Sequence, residues 1–151
     1  MSEASHIVCG RCGQTNRVPV GRPAGQARCG SCHQALFDGH PVEVDEAAFE
    51  RHAQRNDIPV LVDVWAPWCG PCRAMAPMFE TAAGALEPDV RLLKLNSDQT
   101  PELASRLGIR SIPTLLLMQS GQIRARTSGA MSSAQIVAWT RSNLASDGAG
   151  R

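Results

Sequence analysis

The chain has 151 residues, is 43% hydrophobic and 19% charged, and carries a formal net charge of +1. That length closes one core of about a hundred residues plus a small satellite, and a near-neutral charge without blocks of like sign excludes a nucleic-acid binder's electrostatic footprint. No apolar run is long enough to cross a bilayer, and Met1-Ser2-Glu3-Ala4-Ser5-His6 lacks the basic and apolar regions of an export signal, so a cytoplasmic protein without membrane or nucleic-acid partners is expected.

From Ile7 to about Phe37 the sequence is rich in Gly, Arg and Cys, has only scattered apolar residues and shows no sustained periodicity, so it cannot close a core unaided. Within it, Cys9-Gly10-Arg11-Cys12 and Cys29-Gly30-Ser31-Cys32 are separated by sixteen residues, a spacing that fits a four-cysteine zinc site. A single structural zinc on Cys9, Cys12, Cys29 and Cys32 would supply the folding free energy that the apolar residues cannot. Two structural disulfides are the first competing reading, disfavoured in a reducing compartment. Two further redox pairs are the second, since thiolates on zinc can be oxidised with loss of the metal. Cys29 to Cys32 with His33 also spells a haem-attachment string, disfavoured without an export signal and with Cys9 and Cys12 available. His6, His33, His40 and His52 are expected to be solvated, with His33 the first substitute ligand. Asp38-Gly39-His40-Pro41 reads as a turn that ends the segment. The expected division is a four-cysteine module over 1–38, linker and first strand over 39–44, a main domain over 45–145 and a disordered tail over 146–151.

After a weak first strand near Val42 to Val44, Asp45 can cap a helix running to about Arg55, and Ile58 to Trp65 is an apolar β run interrupted only by Asp63. A helix is expected from Cys69 or Gly70, with Met75, Met78, Phe79, Ala82, Ala83 and Leu86 as its apolar stripe and a kink at Pro77. Val90 to Leu95 is the next strand. Thr100-Pro101 through Gly108 describes a short helix with cap, first-turn proline and glycine stop. Pro113 to Met118 and Gln122 to Ser128 form a hairpin around Gln119-Ser120-Gly121, and Ser132 with Gln135 makes a capping box for a last helix ending near Leu144. Strand–helix alternation followed by a hairpin implies an α/β fold, a mixed sheet with helices on both faces.

Cys69-Gly70-Pro71-Cys72 stands directly between the apolar strand and the long helix. Two thiols at such a junction can close into a disulfide and reopen. The helix dipole and the unpaired first amides favour a thiolate at Cys69, which makes it the nucleophile, while Cys72 would resolve the mixed disulfide. Gly70 and Pro71 are expected to shape the turn, glycine by allowing close approach and proline because first-turn amides need no partner. Asp63, buried among Val, Leu and Trp, should have a raised pKa and could exchange a proton with Cys72; the alternative is a carboxylate satisfied by hydrogen bonds.

Val62-Asp63-Val64-Trp65-Ala66-Pro67-Trp68-Cys69-Gly70-Pro71-Cys72 and Gly108-Ile109-Arg110-Ser111-Ile112-Pro113-Thr114 resemble the thioredoxin family, over residues 42 to about 145. The cysteine-rich leader resembles that family's zinc-containing bacterial type, thioredoxin 2. The resemblance implies a thioredoxin fold with a small zinc-ribbon-like module, and a thiol-disulfide oxidoreductase that reduces protein disulfides without an organic cofactor of its own. It implies proton exchange at Asp63, tuning of Asp63 by Lys94, and a cis-proline loop at Ile112-Pro113; the bland alternative is that Pro113 merely starts a strand. It also implies a contact surface of Trp68, Gly70, Pro71, Ile112, Pro113, Gly129 and Ala130. A flavin-containing thioredoxin reductase is the implied electron donor, disulfide-containing proteins are the implied substrates, and the expected state is a monomer. An oxidase or isomerase is the nearest alternative, although Gly-Pro between the sulfurs resembles the reducing members. A zinc-dependent interaction module or holdase, with the second domain as scaffold, is the alternative of a different class. The chain departs from the family at Met118, where an aromatic is common, in lacking tyrosine, and in placing Arg73 where lysine is frequent.

Overall fold

The computed structural model describes residues 4–149, with side chains described through Leu144. After the leader, the elements follow in the expected order: β3 (Val42–Val44), α1 (Glu46–Arg55), β4 (Val60–Trp65), α2 (Gly70–Leu86), β5 (Arg91–Asn96), α3 (Pro101–Arg106), β6 (Thr114–Gln119), β7 (Gln122–Ser128) and α4 (Ser133–Ala149). One five-stranded sheet has the order β3-β5-β4-β6-β7. β3 and β4 run parallel to β5, while β6 runs antiparallel to both β4 and β7.

β4 is apolar at every position but Asp63 because both faces of the sheet are covered. Val60, Val62 and Val64 pack with Phe49 and Leu103 on one side, whereas Leu61 packs with Met75, Phe79 and Leu86 of α2 and Ile136 of α4 on the other. Side chains alternate along a strand, so Asp63 shares the α2 face with Leu61. The stripe on α2 buries Met75, Phe79, Ala82, Ala83 and Leu86 as its spacing predicts.

Local signals explain most boundaries. The Asp45 carboxylate accepts from the Ala48 amide at the start of α1 (2.8 Å). Ser132 and Gln135 form the reciprocal capping box, Oγ with the Gln135 amide and Oε1 with the Ser132 amide. Ser120 and Gly121 take consecutive positive φ values of 53° and 77°, the backbone that a two-residue hairpin loop requires. Two expectations are corrected. Thr100 does not cap α3 with its side chain, because its hydroxyl donates back to the Asn96 carbonyl (2.9 Å). The last helix does not stop near Leu144, since nothing in Ala145-Ser146-Asp147 breaks a helix; the tail expected over 146–151 is helical backbone as far as Ala149, and its remaining two residues lie outside the described residues.

The leader contains β1 (Ala4–Val8) and β2 (Thr15–Pro19), an antiparallel pair that its weak periodicity did not announce, and a short 3-10 turn at Ala24–Gln26. Ile7, Val18, Ala27, Leu36 and Phe37 form a small core with Cys9 and Cys29, closed from the main domain by Ile58. The joint between the two parts is polar and specific. Asp57 donates its amide to the His6 carbonyl (2.8 Å) and its carboxylate accepts from the His6 amide (2.7 Å), while Asn56 accepts from the Val8 amide (2.8 Å). Arg91, 1% exposed, donates to the carbonyls of Val8 (2.8 Å) and Leu36 (2.9 Å) and lies over the Phe37 ring at 4.3 Å.

Of the four histidines expected to be solvated, His6, His33 and His40 are exposed and His52 is not. His52 is 2% exposed on the buried face of α1 and accepts from the Asn56 amide group at Nδ1 (2.9 Å). Burial, reinforced by the charges of Arg91 and Arg51, pushes its pKa down to about 3, so it stays neutral. His6 and His40 are exposed but paired, with Asp57 (3.0 Å) and Glu80 (2.6 Å) respectively, and His33 sits at a positive φ of 67°. The linker is also tied down: the Gly39 amide donates to Glu87 (2.8 Å).

The module therefore docks at the N-terminal ends of β4 and β5, whereas Cys69 follows the C-terminal end of β4. Six residues of strand separate the two levels, roughly 20 Å at about 3.3 Å per residue.

Candidate active site and metal centre

At the upper level, β4 ends at Trp65, the chain turns through Ala66-Pro67-Trp68, and Cys69 becomes the N-cap of α2 with Gly70 and Pro71 in the first turn. Cys69 and Cys72 are disulfide-bonded, with Cα atoms 5.2 Å apart. The Cys72 amide donates to Cys69 Sγ (3.2 Å), so the first sulfur already occupies the position where a helix N-terminus stabilises negative charge. Both cysteines are nearly buried, Cys69 at 4% exposure and Cys72 at 2%. Gly70 does not serve the expected close approach within the chain: its φ is ordinary and a Cβ there would meet no atom within 4 Å, because that side of the turn faces open space.

Ile112-Pro113 is a cis peptide, and the Ile112 carbonyl oxygen lies 3.8 Å from Cys69 Sγ. Ile112 packs with Trp65, Ala66 and both cysteines in one small cluster. The loop is braced from behind: Thr114 Oγ1 donates to the Ser111 carbonyl (2.6 Å) and the Gly129 amide donates to the Pro113 carbonyl (2.9 Å). Gly129 sits at φ 100°, which favours glycine there, and Ala130 follows it on the exposed rim. Trp68 is 67% exposed, with its indole nitrogen donating to both Asp98 carboxylate oxygens (3.0 and 3.2 Å).

Beneath the motif, Asp63 is 1% exposed and neither carboxylate oxygen has a hydrogen-bond partner among the described residues. Burial raises its pKa to about 7, and the charge of Lys94 opposes that rise. Lys94 is the register partner of Asp63 on β5, and its ammonium lies over the Trp65 ring at 4.6 Å rather than in an ion pair with the carboxylate.

At the lower level, the Sγ atoms of Cys9, Cys12, Cys29 and Cys32 all lie within 4.8 Å of one another. Cys9 Sγ lies 3.6 Å from Cys32 Sγ and Cys12 Sγ 3.5 Å from Cys29 Sγ, far beyond a sulfur–sulfur bond. The two-disulfide reading is thus not the state of the structure. A tetrahedral ion at about 2.3 Å from each thiolate sets its sulfurs roughly 3.8 Å apart, so this constellation fits one metal ion. Amides point at the sulfurs, from Arg11 to Cys9 (3.4 Å) and from Ser31 and Cys32 to Cys29 (3.4 and 3.5 Å). Burial acts to raise the Cys29 pKa, but these amides and the Asn16 side chain outweigh it and hold the thiol at about 6. Asn16 escaped the sequence reading; its side chain accepts from the Gly30 amide (2.8 Å) and donates to the Gln14 carbonyl (3.1 Å), spanning both cysteine turns. Arg91 and His52 escaped it too. His52 was signalled by its place three residues after Phe49 on an apolar helical face, whereas nothing local marks Arg91.

The fold and the two-part organisation agree with comparisons to known proteins. Residues 40–142 match the thioredoxin family model, and residues 8–34 match the model described as "Thioredoxin 2, N-terminal", a zinc ribbon. Thioredoxin C-3 of Corynebacterium nephridii is 42% identical over 138 residues, covering 91% of this chain and 94% of its own. Thioredoxin of Pseudomonas aeruginosa is 39% identical over 105 residues, covering 70% and 97%. The crystal structure of spinach chloroplast thioredoxin F (long form) superposes with a TM-score of 0.64 at 31% identity, covering 70% of this chain and 88% of that one. A thiol-disulfide oxidoreductase with an appended zinc-ribbon domain is the class that these features define. The chain belongs to the thioredoxin family. No helix among the described residues is long and apolar enough to cross a membrane.

Proposed function

We propose that the Cys69–Cys72 pair reduces protein disulfides with Cys69 as the nucleophile, Cys72 as the resolving thiol and Asp63 as the proton acceptor and donor. The observation that carries this reading is the position of Cys69 Sγ, which accepts the Cys72 amide at the head of α2 while facing the Ile112 carbonyl. In the reduced chain, the Cys69 thiolate attacks one sulfur of the substrate. The substrate S–S bond breaks, and the departing sulfur leaves as a thiolate that takes up a proton. Cys72 passes its proton towards Asp63 and attacks Cys69 Sγ, which breaks the mixed disulfide and releases the second substrate sulfur. Two electrons have then moved from the chain to the substrate, and the Cys69–Cys72 disulfide remains. A carboxyl with a pKa near 7 is suited to accept and return that proton near neutral pH. Lys94 tunes Asp63 from the neighbouring strand.

Trp68, Gly70, Pro71, Ile112, Pro113, Gly129 and Ala130 form the surface on which an extended substrate lies, with the backbone before Pro113 as its pairing edge. Zinc is the metal that the four thiolates hold: tetrahedral, redox-inert coordination by four cysteines fits a structural role, with no step of the exchange passing through it. The protein works in the cytoplasm as a monomer and is recharged by thioredoxin reductase, the donor that serves its family. The test is turnover of a disulfide substrate such as insulin with dithiothreitol as reductant. Cys69→Ser should lower the rate to background, whereas Cys72→Ser should accumulate a mixed disulfide; undiminished turnover by Cys69→Ser would falsify the assignment.

A further inference from the structure

A cleft of about 380 Å³ opens beside the Ile112-Pro113 loop and runs towards α3, lined by Ser97, Ala104, Ile109, Arg110, Ser111 and Ile112. The basic groups around this face are almost all engaged. Arg73 donates to the Pro67 carbonyl (3.1 Å), Arg126 to the carbonyls of Leu107 (2.8 Å) and Gly108 (3.1 Å), and Arg106 to Glu46 (2.6 Å). Lys94 lies over Trp65, and the nearby Asp98 carboxylate is taken by Trp68. Arg110 differs from all of these: it is exposed and makes no hydrogen bond, ion pair or ring contact with any described residue. The backbone amides of Arg110, Ser111 and Ile112 likewise donate to no group among the described residues. The backbone carrying them is nevertheless fixed, by Arg126 before it and by Thr114 and Gly129 behind it.

An unengaged guanidinium, three free amides and an adjoining cleft, all on a braced loop that touches the reactive sulfur, suit a ligand that is extended and acidic. We propose that Arg110 is a specificity residue, favouring disulfide-bonded polypeptides that carry an Asp or Glu side chain close to the attacked cysteine. This rests on the reductase reading above and names the substrate class of the same site. A guanidinium and a carboxylate pair through two parallel N–H···O bonds, so the preference has geometry as well as charge. The pair is solvent-exposed, so the expected discrimination is modest and falls with salt.

The test uses the full-length chain, metal-loaded and reduced beforehand, in single-turnover reactions with three synthetic peptides. Each contains one intramolecular disulfide, and they differ only in Glu, Gln or Lys beside the attacked cysteine. The second-order rate constants should rank Glu above Gln above Lys, with about threefold per step at low salt and a smaller spread in 0.5 M sodium chloride. Arg110→Gln should bring the Glu-to-Lys ratio close to one, and Arg110→Glu should invert it. Arg17→Gln makes the same charge change on the distant module and should leave the ratio as it was. Equal rates for the three peptides with the unmodified chain, or an unchanged ratio in Arg110→Gln, would overturn this inference alone. Failure of the unmodified chain to reduce even the Gln peptide would overturn the reductase reading and this inference with it.

Discussion

Cys9-Gly10-Arg11-Cys12, Cys29-Gly30-Ser31-Cys32 and Cys69-Gly70-Pro71-Cys72 share a spacing and a glycine, yet the module and the main domain use them in opposite ways. In the module, the residue after the second cysteine takes a left-handed backbone, Gly13 at φ 81° and His33 at φ 67°. Its amide returns to the first cysteine's carbonyl, Gly13 to Cys9 (3.1 Å) and His33 to Cys29 (2.9 Å), and the chain then leaves the turn. Each turn presents its sulfurs outward, and the two turns meet. In the main domain, the corresponding residue Arg73 is helical and continues α2, with its amide on the Cys69 carbonyl (3.1 Å). No second cysteine turn faces that pair, so its sulfurs bond to each other. The chemistry of a Cys-x-x-Cys segment is thus decided by the backbone that follows it and by what the fold brings opposite.

Removing the metal proposed for the four thiolates is expected to break this comparison most severely, because all four of its ligands lie in the module. A four-thiolate zinc site in a small domain contributes on the order of 10 kcal/mol. Chelation from the reduced chain is expected to abolish hydrogen-exchange protection in β1 and β2 and to release the Val8 and Leu36 carbonyls from Arg91, while α2 and β4 keep theirs. Unchanged exchange in β1 and β2 would show that the metal does not hold the module together.

Replacing the arginine that joins the two regions comes next. Arg91→Leu leaves two buried carbonyls without their donor, and should lower stability by about 3–5 kcal/mol in denaturant unfolding. The loss should be shared by the module and β5, which separates a joint from a local contact. A loss below about 1 kcal/mol would mean that Arg91 is not the tie that its burial suggests.

A stability effect of similar size to that of Arg91, but dependent on pH, lies at the redox site and has a definite sign. Because the folded pKa of Asp63 is raised from 3.8 to about 7, the folded state holds an extra proton between those values. Asp63 therefore costs nothing below pH 4, costs more as pH rises through the window, and costs most above pH 7. Each tenfold change in proton affinity is worth roughly 1.4 kcal/mol, so Asp63→Asn should be more stable than the parent by a few kcal/mol at pH 8, with the gap closing towards pH 4. A gap that is independent of pH would contradict the buried, unpartnered carboxylate. The same variant should slow release of the mixed disulfide if Asp63 handles the Cys72 proton.

Much of this was legible in the residues. The order of strands and helices, the caps at Asp45 and Ser132, the apolar stripe of α2 and the strand-to-helix setting of Cys69 are local signals, and local physics decides them. The hairpin of β1 and β2 was not legible, because a strand pair whose apolar face meets a small core of cysteines, Ala27, Leu36, Phe37 and Ile58 needs few apolar residues and shows little alternation. Arg91 reads as an ordinary charged strand end, since its acceptors lie 83 and 55 residues away. His52 could have been read from its position on the Phe49 face of α1, but its neutral state follows first from a burial that only the docked module and packed helix complete, with the charges of Arg91 and Arg51 adding to it. The division of six cysteines into four and two was visible in spacing alone; the reason for it, in the backbone after each pair, was not.

That division is tested most directly by alkylation with iodoacetamide across pH, followed by mass spectrometry of each cysteine, on the reduced and metal-loaded chain. Cys69 should react first and well below the pH at which a free thiol does, while Cys9, Cys12, Cys29 and Cys32 stay protected until a chelator is added. Alkylation of the module cysteines at the same rate with and without metal, or of Cys69 no faster than a free cysteine, would contradict the account.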